Sequence, residues 1–156
     1  MEQTEQKTEE KVVVLKVSVK HAKRLATRNK MLNLLVGEIL DRHGIAGNLR
    51  MAYGNFARKL IKIITEMGPP VWRKLAEIEK NRFIEYNGLN RDAVNEIADT
   101  LLNIFENAFK EIGEIDLEVV DFVLVKELEK RNLLKKLGVR HGGCETGDLD
   151  TRETVA

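Results

Sequence analysis

Apolar residues recur at three- and four-residue steps through most of the chain and rarely alternate, which predicts helices rather than strands. Breaks at Gly44, Gly47, Gly68-Pro69-Pro70, Asn87-Gly88, Gly113 and Gly138 divide the pattern into five segments. The first predicted helix begins near Ser18 and stops at Gly44; the second takes Asn48 as its N-cap and stops at Gly68. The third places the double proline in its first turn and ends at Asn87-Gly88. The fourth is capped by Asn90 and runs to Gly113, and the fifth is capped by Asp116 and runs to Gly138. Connections of about three to six residues make successive helices antiparallel neighbours. The expected fold is therefore all-α: an antiparallel helical bundle of four to five helices over 18–137, with an N-terminal basic helical arm. Residues 1–17 form that arm, its first ten positions expected to be disordered, and 138–156 read as a flexible tail. Within 11–19, Leu15, Val17 and Val19 alternate with Lys16, Ser18 and Lys20, leaving open whether the stretch is extended or a frayed helical extension.

The breadth of each apolar face locates the core. The fourth helix carries Ala93, Val94, Ile97, Ala98, Leu101, Leu102, Ile104, Phe105, Ala108, Phe109 and Ile112, leaving a narrow polar strip, as expected of a central helix. The fifth is apolar in most directions through Val119, Val120, Phe122, Val123, Leu124 and Val125, a surface expected to be buried in the bundle or to meet another subunit or a lipid layer. In the first, a wheel at about 100° per residue gathers Ala22, Leu25, Ala26, Leu32, Leu35, Val36, Ile39 and Leu40 on one face. Opposite them fall Lys20, Lys23, Arg24, Arg28 and Lys30, joined by Lys16 if the helix starts early. After Met31 the basic directions become apolar, so an element with a basic first half and a buried second half can reach from the bundle onto a ligand. On the second helix Leu49, Tyr53, Phe56, Leu60, Ile63, Ile64 and Met67 form the apolar face, with Arg58, Lys59 and Lys62 opposite and Arg50 to one side.

Charge sharpens this picture. The chain of 156 residues has a formal net charge of only +1, but residues 11–62 hold twelve bases against Glu38 and Asp41. The first ten residues and the stretch 63–156 are both net acidic. Such a block is a candidate polyanion surface. Lys16, Lys20, Arg24 and Arg28 stand four apart, about 6 Å per step along a helix, close to the spacing of successive phosphates. No acid interrupts them to form helical ion pairs. Bases without interleaved aromatics point to phosphate tracking rather than base stacking. The candidate phosphate contacts are Lys16, Lys20, Lys23, Arg24, Arg28, Lys30, Arg50, Arg58, Lys59 and Lys62.

Other chemistry is thinly represented. One cysteine, Cys144, allows neither an intrachain disulfide nor a cysteine-based zinc site, and His141 beside it lacks a second ligand pair. No catalytic or nucleotide-binding motif occurs, and His21, His43 and His141 are far apart, so neither an enzyme, a cofactor nor a metal is expected. Glu77, Glu79, Glu85, Glu96 and Asp99 read as solvated faces or inter-subunit charges, and His43 as a helix-end cation favoured by the dipole. The start of the chain is polar and acidic, so no signal peptide is expected, and no run of about 18 apolar residues is present.

From Arg42 to about Leu102 the chain resembles the major capsid proteins of filamentous archaeal viruses, the rudivirus and lipothrixvirus-like group. The matching elements are His43-Gly44-Ile45-Ala46-Gly47, then Arg50, Tyr53, Phe56 and Lys59-Leu60, then Gly68-Pro69, Tyr86-Asn87 and the Asn90, Asp92-Ala93-Val94, Ile97 pattern. The resemblance implies a virion protein of a helical nucleocapsid, assembled in the host cytoplasm, whose arms wrap linear double-stranded DNA and hold it in the A form. It also implies neighbouring subunits in a filament, a homodimer or a heterodimer with a second related capsid protein, and in enveloped members a lipid envelope. The acidic first ten residues and the Gly-rich acidic tail depart from the pattern.

Two other readings fit parts of the sequence. A cellular helical nucleic-acid-binding protein, a regulator or a subunit of an RNA-guided complex, would bind discrete sites. A helical enzyme with a carboxylate site would depend on Glu77, Glu79, Glu96 or Asp99.

Overall fold

Gly88 and Gly113 take left-handed backbone angles (φ 64° and 88°) and each ends a helix, as side-chain-bearing residues do only at a cost. These stops organise the computed structural model, which describes residues 23–137. Lys16, Lys20, the ambiguous stretch 11–19, the arm 1–17 and the tail 138–156 lie outside the described residues. The described helices are α1 (23–42), α2 (Arg50–Glu66), α3 (Pro69–Asn87), α4 (Arg91–Ile112) and α5 (Leu117–Lys130), with short 3-10 turns at Gly47–Leu49 and Leu134–Leu137. The fold is an all-α helical bundle, and no strand occurs among the described residues.

Caps expected from sequence hold α4 and α5: the Asn90 side chain accepts from the Ala93 amide at 3.0 Å and Asp116 accepts from the Val119 amide at 2.9 Å. Asn48 does not cap α2; it lies inside the preceding 3-10 turn, and α2 starts without a side-chain cap. The fifth helix stops at Lys130 rather than at Gly138, because Asn132 adopts φ 61° and turns the chain so that the Leu133 amide bonds to the Leu128 carbonyl at 2.8 Å.

Contacts between helices fix an up-down-up-down-up order. Phe56, early in α2, meets Phe83, late in α3, edge-on at 5.4 Å, and Trp72 at the start of α3 meets Phe109 near the end of α4 at 6.2 Å. Tyr53 and Asn90, each near the start of its segment, join the parallel pair α2 and α4 through a 2.7 Å hydrogen bond from the Asn90 amide. Helices α1 and α5 also run parallel: Arg24 faces Glu118, Arg28 faces Asp121 and Glu38 faces Arg131. The core between them is aliphatic with a few rings: Leu35, Ile39, Phe56, Leu60, Ile97, Leu101 and Phe105 are fully enclosed.

Burial departs from the wheel at specific places. On α1 every residue from 23 to 27 is exposed, Leu25 and Ala26 included, so the buried stripe begins at Arg28 and continues through Met31, Leu32, Leu35 and Val36. Leu49 and Met67 stand exposed at the two ends of the α2 face. Helix α4 is enclosed through Phe105, but Ile112 is exposed, and on α5 Leu117 and Phe122 are exposed rather than buried.

Candidate nucleic-acid interface

The candidate cations divide by residue type. Arg28, expected on the basic face, points inward: it is 6% exposed, and its guanidinium grips the Asp121 carboxylate through Nε at 2.6 Å and a second nitrogen at 3.1 Å. A buried guanidinium needs such a planar, two-bonded partner, and none of its surface is left for a phosphate. Arg24 is exposed and stands 3.8 Å from Glu118, a loose surface contact that leaves it accessible. Arg50 serves the fold: it donates to the Ile45 carbonyl from two nitrogens and to Asp41, closing the turn between α1 and α2.

Lys23, Lys30, Lys59 and Lys62 are all exposed, and among the described residues no acid pairs with any of them or with Arg58. Arg58 donates only to Asn55, its neighbour on α2. Two helical glycines bring α1 and α2 close enough to share a face. The Asn33 carboxamide oxygen lies 3.0 Å from where a Cβ on Gly54 would stand, and an Arg58 nitrogen lies 3.4 Å from the same point. An Arg50 nitrogen likewise lies 3.5 Å from the corresponding point on Gly37. This antiparallel register sets Lys30 opposite the turn that carries Arg58, with Lys62 one turn further along. Between the helices runs a groove of about 340 Å³, lined by Asn33, Val36, Gly37, Leu40, Arg50, Met51 and Arg58. No lysine lines this groove; the exposed lysines stand on the outer turns of the two helices, where they can release counter-ions to a polyanion without breaking an internal ion pair.

Of the carboxylates named from sequence, Glu77, Glu79, Glu96 and Asp99 sit in ion pairs spread over separate surfaces, while Glu85 has none among the described residues and one oxygen of Glu79 is buried without a partner. Glu77 pairs with Lys80 and Glu79 with Arg82 along α3, while Asp99 and Glu106 of α4 receive Arg73 of α3. Glu96 is held between α1's last turn and α4, accepting from His43 Nε2 at 2.8 Å and from Arg42. The His43 hydrogen bond, with Arg42 adding to it against the opposing effect of burial, keeps the Glu96 carboxyl below its ordinary value of 4.5. His43 is thus a tether to α4 rather than a free helix-end cation. Among the described residues no three His, Cys, Asp or Glu side chains gather in a metal-binding group, and no helix is long and apolar enough to cross a membrane.

Glu38, Glu118, Asp121 and Arg131 complete the α1–α5 seam and were not identified from sequence. Arg131 bridges Glu38 at 2.5 Å and Glu127 at 2.6 Å. Their signal is non-local, a partner 93 positions away for both Arg28 and Arg131.

Many residues that carry the capsid-protein resemblance have structural duties: His43 tethers α4, Arg50 closes a turn, Tyr53 bonds the α4 cap and Phe56 fills the core. Comparison with family models, with curated proteins and with solved structures finds no match.

Proposed function

We propose that this protein is a nucleocapsid subunit that coats linear double-stranded DNA through sequence-independent phosphate contacts, in a helical filament of a filamentous archaeal virus. The observation that carries the reading is the lysine-rich α1–α2 face, where Lys23, Lys30, Lys59, Lys62 and Arg58 have no acid partner among the described residues. The resemblance over Arg42–Leu102 supports the viral assignment, and the exposed turns 23–27 support an α1 that extends from the bundle toward its ligand. Unpaired cations on α1 and α2 with no exposed aromatic among them suit a phosphate rod better than splayed bases. Packing such faces around a duplex neutralises it and removes water, conditions that favour the A form.

The test is direct. Purified protein is mixed with random-sequence linear duplex, imaged by negative stain, and the DNA is followed by circular dichroism. Continuous filaments on every sequence, with an A-form spectrum at saturation, are expected. Discrete bound sites at sequence-dependent positions would instead identify a cellular regulator or an RNA-guided subunit, and no binding would remove nucleic acid from the account.

A further inference from the structure

Two parts of the chain are charge complements joined by a short link. Residues 1–10, which lie outside the described residues, hold Glu2, Glu5, Glu9 and Glu10 against one base, Lys7. The link, 11–22, leads to Lys23, and from there to Thr65 the acids are Glu38 and Asp41 alone. Both stand in the second half of α1 and both are taken: Glu38 by Arg131 across the bundle, Asp41 by Arg50. Lys30, Lys59 and Lys62 are exposed, and among the described residues no acid pairs with them. Arg58, between them, donates only to Asn55.

Exposed lysines elsewhere differ. Lys74 of α3 stands three residues before Glu77, Lys110 of α4 four after Glu106, and Lys130 of α5 three after Glu127, so an acid on the same helix offsets each. Geometry also favours α1 and α2. The register that brings Asn33 to Gly54 and Arg50 to Gly37 carries the first turn of α1 to the turn of α2 that holds Lys62. The link therefore enters the bundle at the basic end of this surface. Lys30 lies about 10 Å further along α1, and the link reaches as far as about 40 Å, enough for the acids to double back. So short a tether keeps them at roughly millimolar local concentration, where pairs too weak to join two separate molecules are populated.

We infer that residues 1–10 dock on the α1–α2 surface around Lys30, Lys59 and Lys62 when no DNA is bound, their carboxylates standing in for phosphates, and that a duplex must displace them. The regulatory consequence rests on the phosphate role proposed above for those lysines; the contact itself needs no nucleic acid. The acidic segment, one of the places where the chain departs from the capsid-protein pattern, thereby becomes an intramolecular competitor. Four carboxylates are a weaker polyanion than a duplex that carries a charge about every 1.7 Å. A long duplex therefore displaces the segment more readily than a short oligonucleotide does, which favours continuous coating over scattered binding.

Zero-length coupling of the full chain without DNA tests the contact. A water-soluble carbodiimide joins a carboxylate to a touching amine with loss of water, and peptide mass spectrometry locates each link. Links from Glu5, Glu9 or Glu10 to Lys30, Lys59 or Lys62 are expected to dominate over those to Lys74, Lys110 and Lys130. They should keep their yield on dilution, as an intramolecular contact must, and fade at about 0.5 M salt. Links spread evenly over all lysines, or lost on dilution, would overturn the inference whatever the protein does with DNA. The effect on binding is read separately. The quadruple variant Glu2→Gln, Glu5→Gln, Glu9→Gln, Glu10→Gln should bind random-sequence duplex about tenfold or more tighter at low salt. With Lys30→Gln, Lys59→Gln and Lys62→Gln also present, the same four changes should gain less than about threefold, because the docking surface is gone. An equal gain in both backgrounds would mean long-range repulsion alone and would contradict docking. Absence of DNA binding in every variant would remove the function proposed above, and the links would still decide the docking.

Discussion

Arg28 and Asp121 meet through two hydrogen bonds across 93 positions of chain, locking the start of the buried stripe of α1 to α5. The pair is unequal: the Arg28 side chain is 7% exposed and that of Asp121 30%. Removing either member has different consequences. Asp121→Ala strands a buried guanidinium and should cost about 3 kcal/mol, toward the low end for broken buried pairs. Arg28→Met keeps most of the stem's packing and leaves a carboxylate that water can reach, so about 1 kcal/mol is expected. Urea denaturation of the two variants checks the order; equal costs would mean that the pair is no more enclosed on one side than on the other.

A second tie joins the start of α2 to the cap of α4. Tyr53 is 4% exposed, and its hydroxyl oxygen accepts from the Asn90 amide at 2.7 Å. Tyr53→Phe removes that acceptor and leaves the amide without it, which should cost about 1–2 kcal/mol of unfolding free energy, read as a lower urea midpoint, while helix content stays unchanged.

Acid should loosen the junction of α1 and α4. Glu96 is held below its ordinary value of 4.5, first by the His43 hydrogen bond and then by Arg42. A carboxyl whose folded value is depressed contributes stability that is fully present above the unfolded value and is lost as pH falls through the folded one. The urea midpoint should therefore decline as pH drops below about 4.5, and Glu96→Gln, less stable at pH 6, should show a shallower decline over the same range. Parallel profiles would mean that other carboxyls govern the acid limb.

Much of the fold was legible because its stops and caps are local. Gly88, Gly113, Asn90, Asp116 and the double proline act within one turn of themselves, and each stands where the chain pattern put it. What the wheel lacked was the identity of the neighbour on each side. Arg28 stands three, four and seven residues before Met31, Leu32 and Leu35, the spacing of one buried stripe; steps of four drift about 40° each, so the row from Lys16 to Arg28 turns off the basic face into that stripe. Only the parallel approach of α5, bringing Asp121, makes burial affordable. Phe122 is the converse case: an apolar residue on an apolar helix that stays exposed because it stands two residues from both Val120 and Leu124, on the side away from the core. The four lysines were legible for a simpler reason. Each is far from the buried stripe, and nothing on a neighbouring described helix competes for it.

The most direct measurement is the salt dependence of binding to a random-sequence duplex, read by fluorescence anisotropy as log K against log salt. The parent should show a steep negative slope, reduced by about two to three units in the Lys30→Gln, Lys59→Gln, Lys62→Gln triple variant. Arg28→Met, whose charge is spent on Asp121, should leave the slope within about half a unit of the parent. A triple variant with the parent's slope, or an Arg28 variant that loses a full unit, would contradict the assignment of the lysine face to the phosphate backbone.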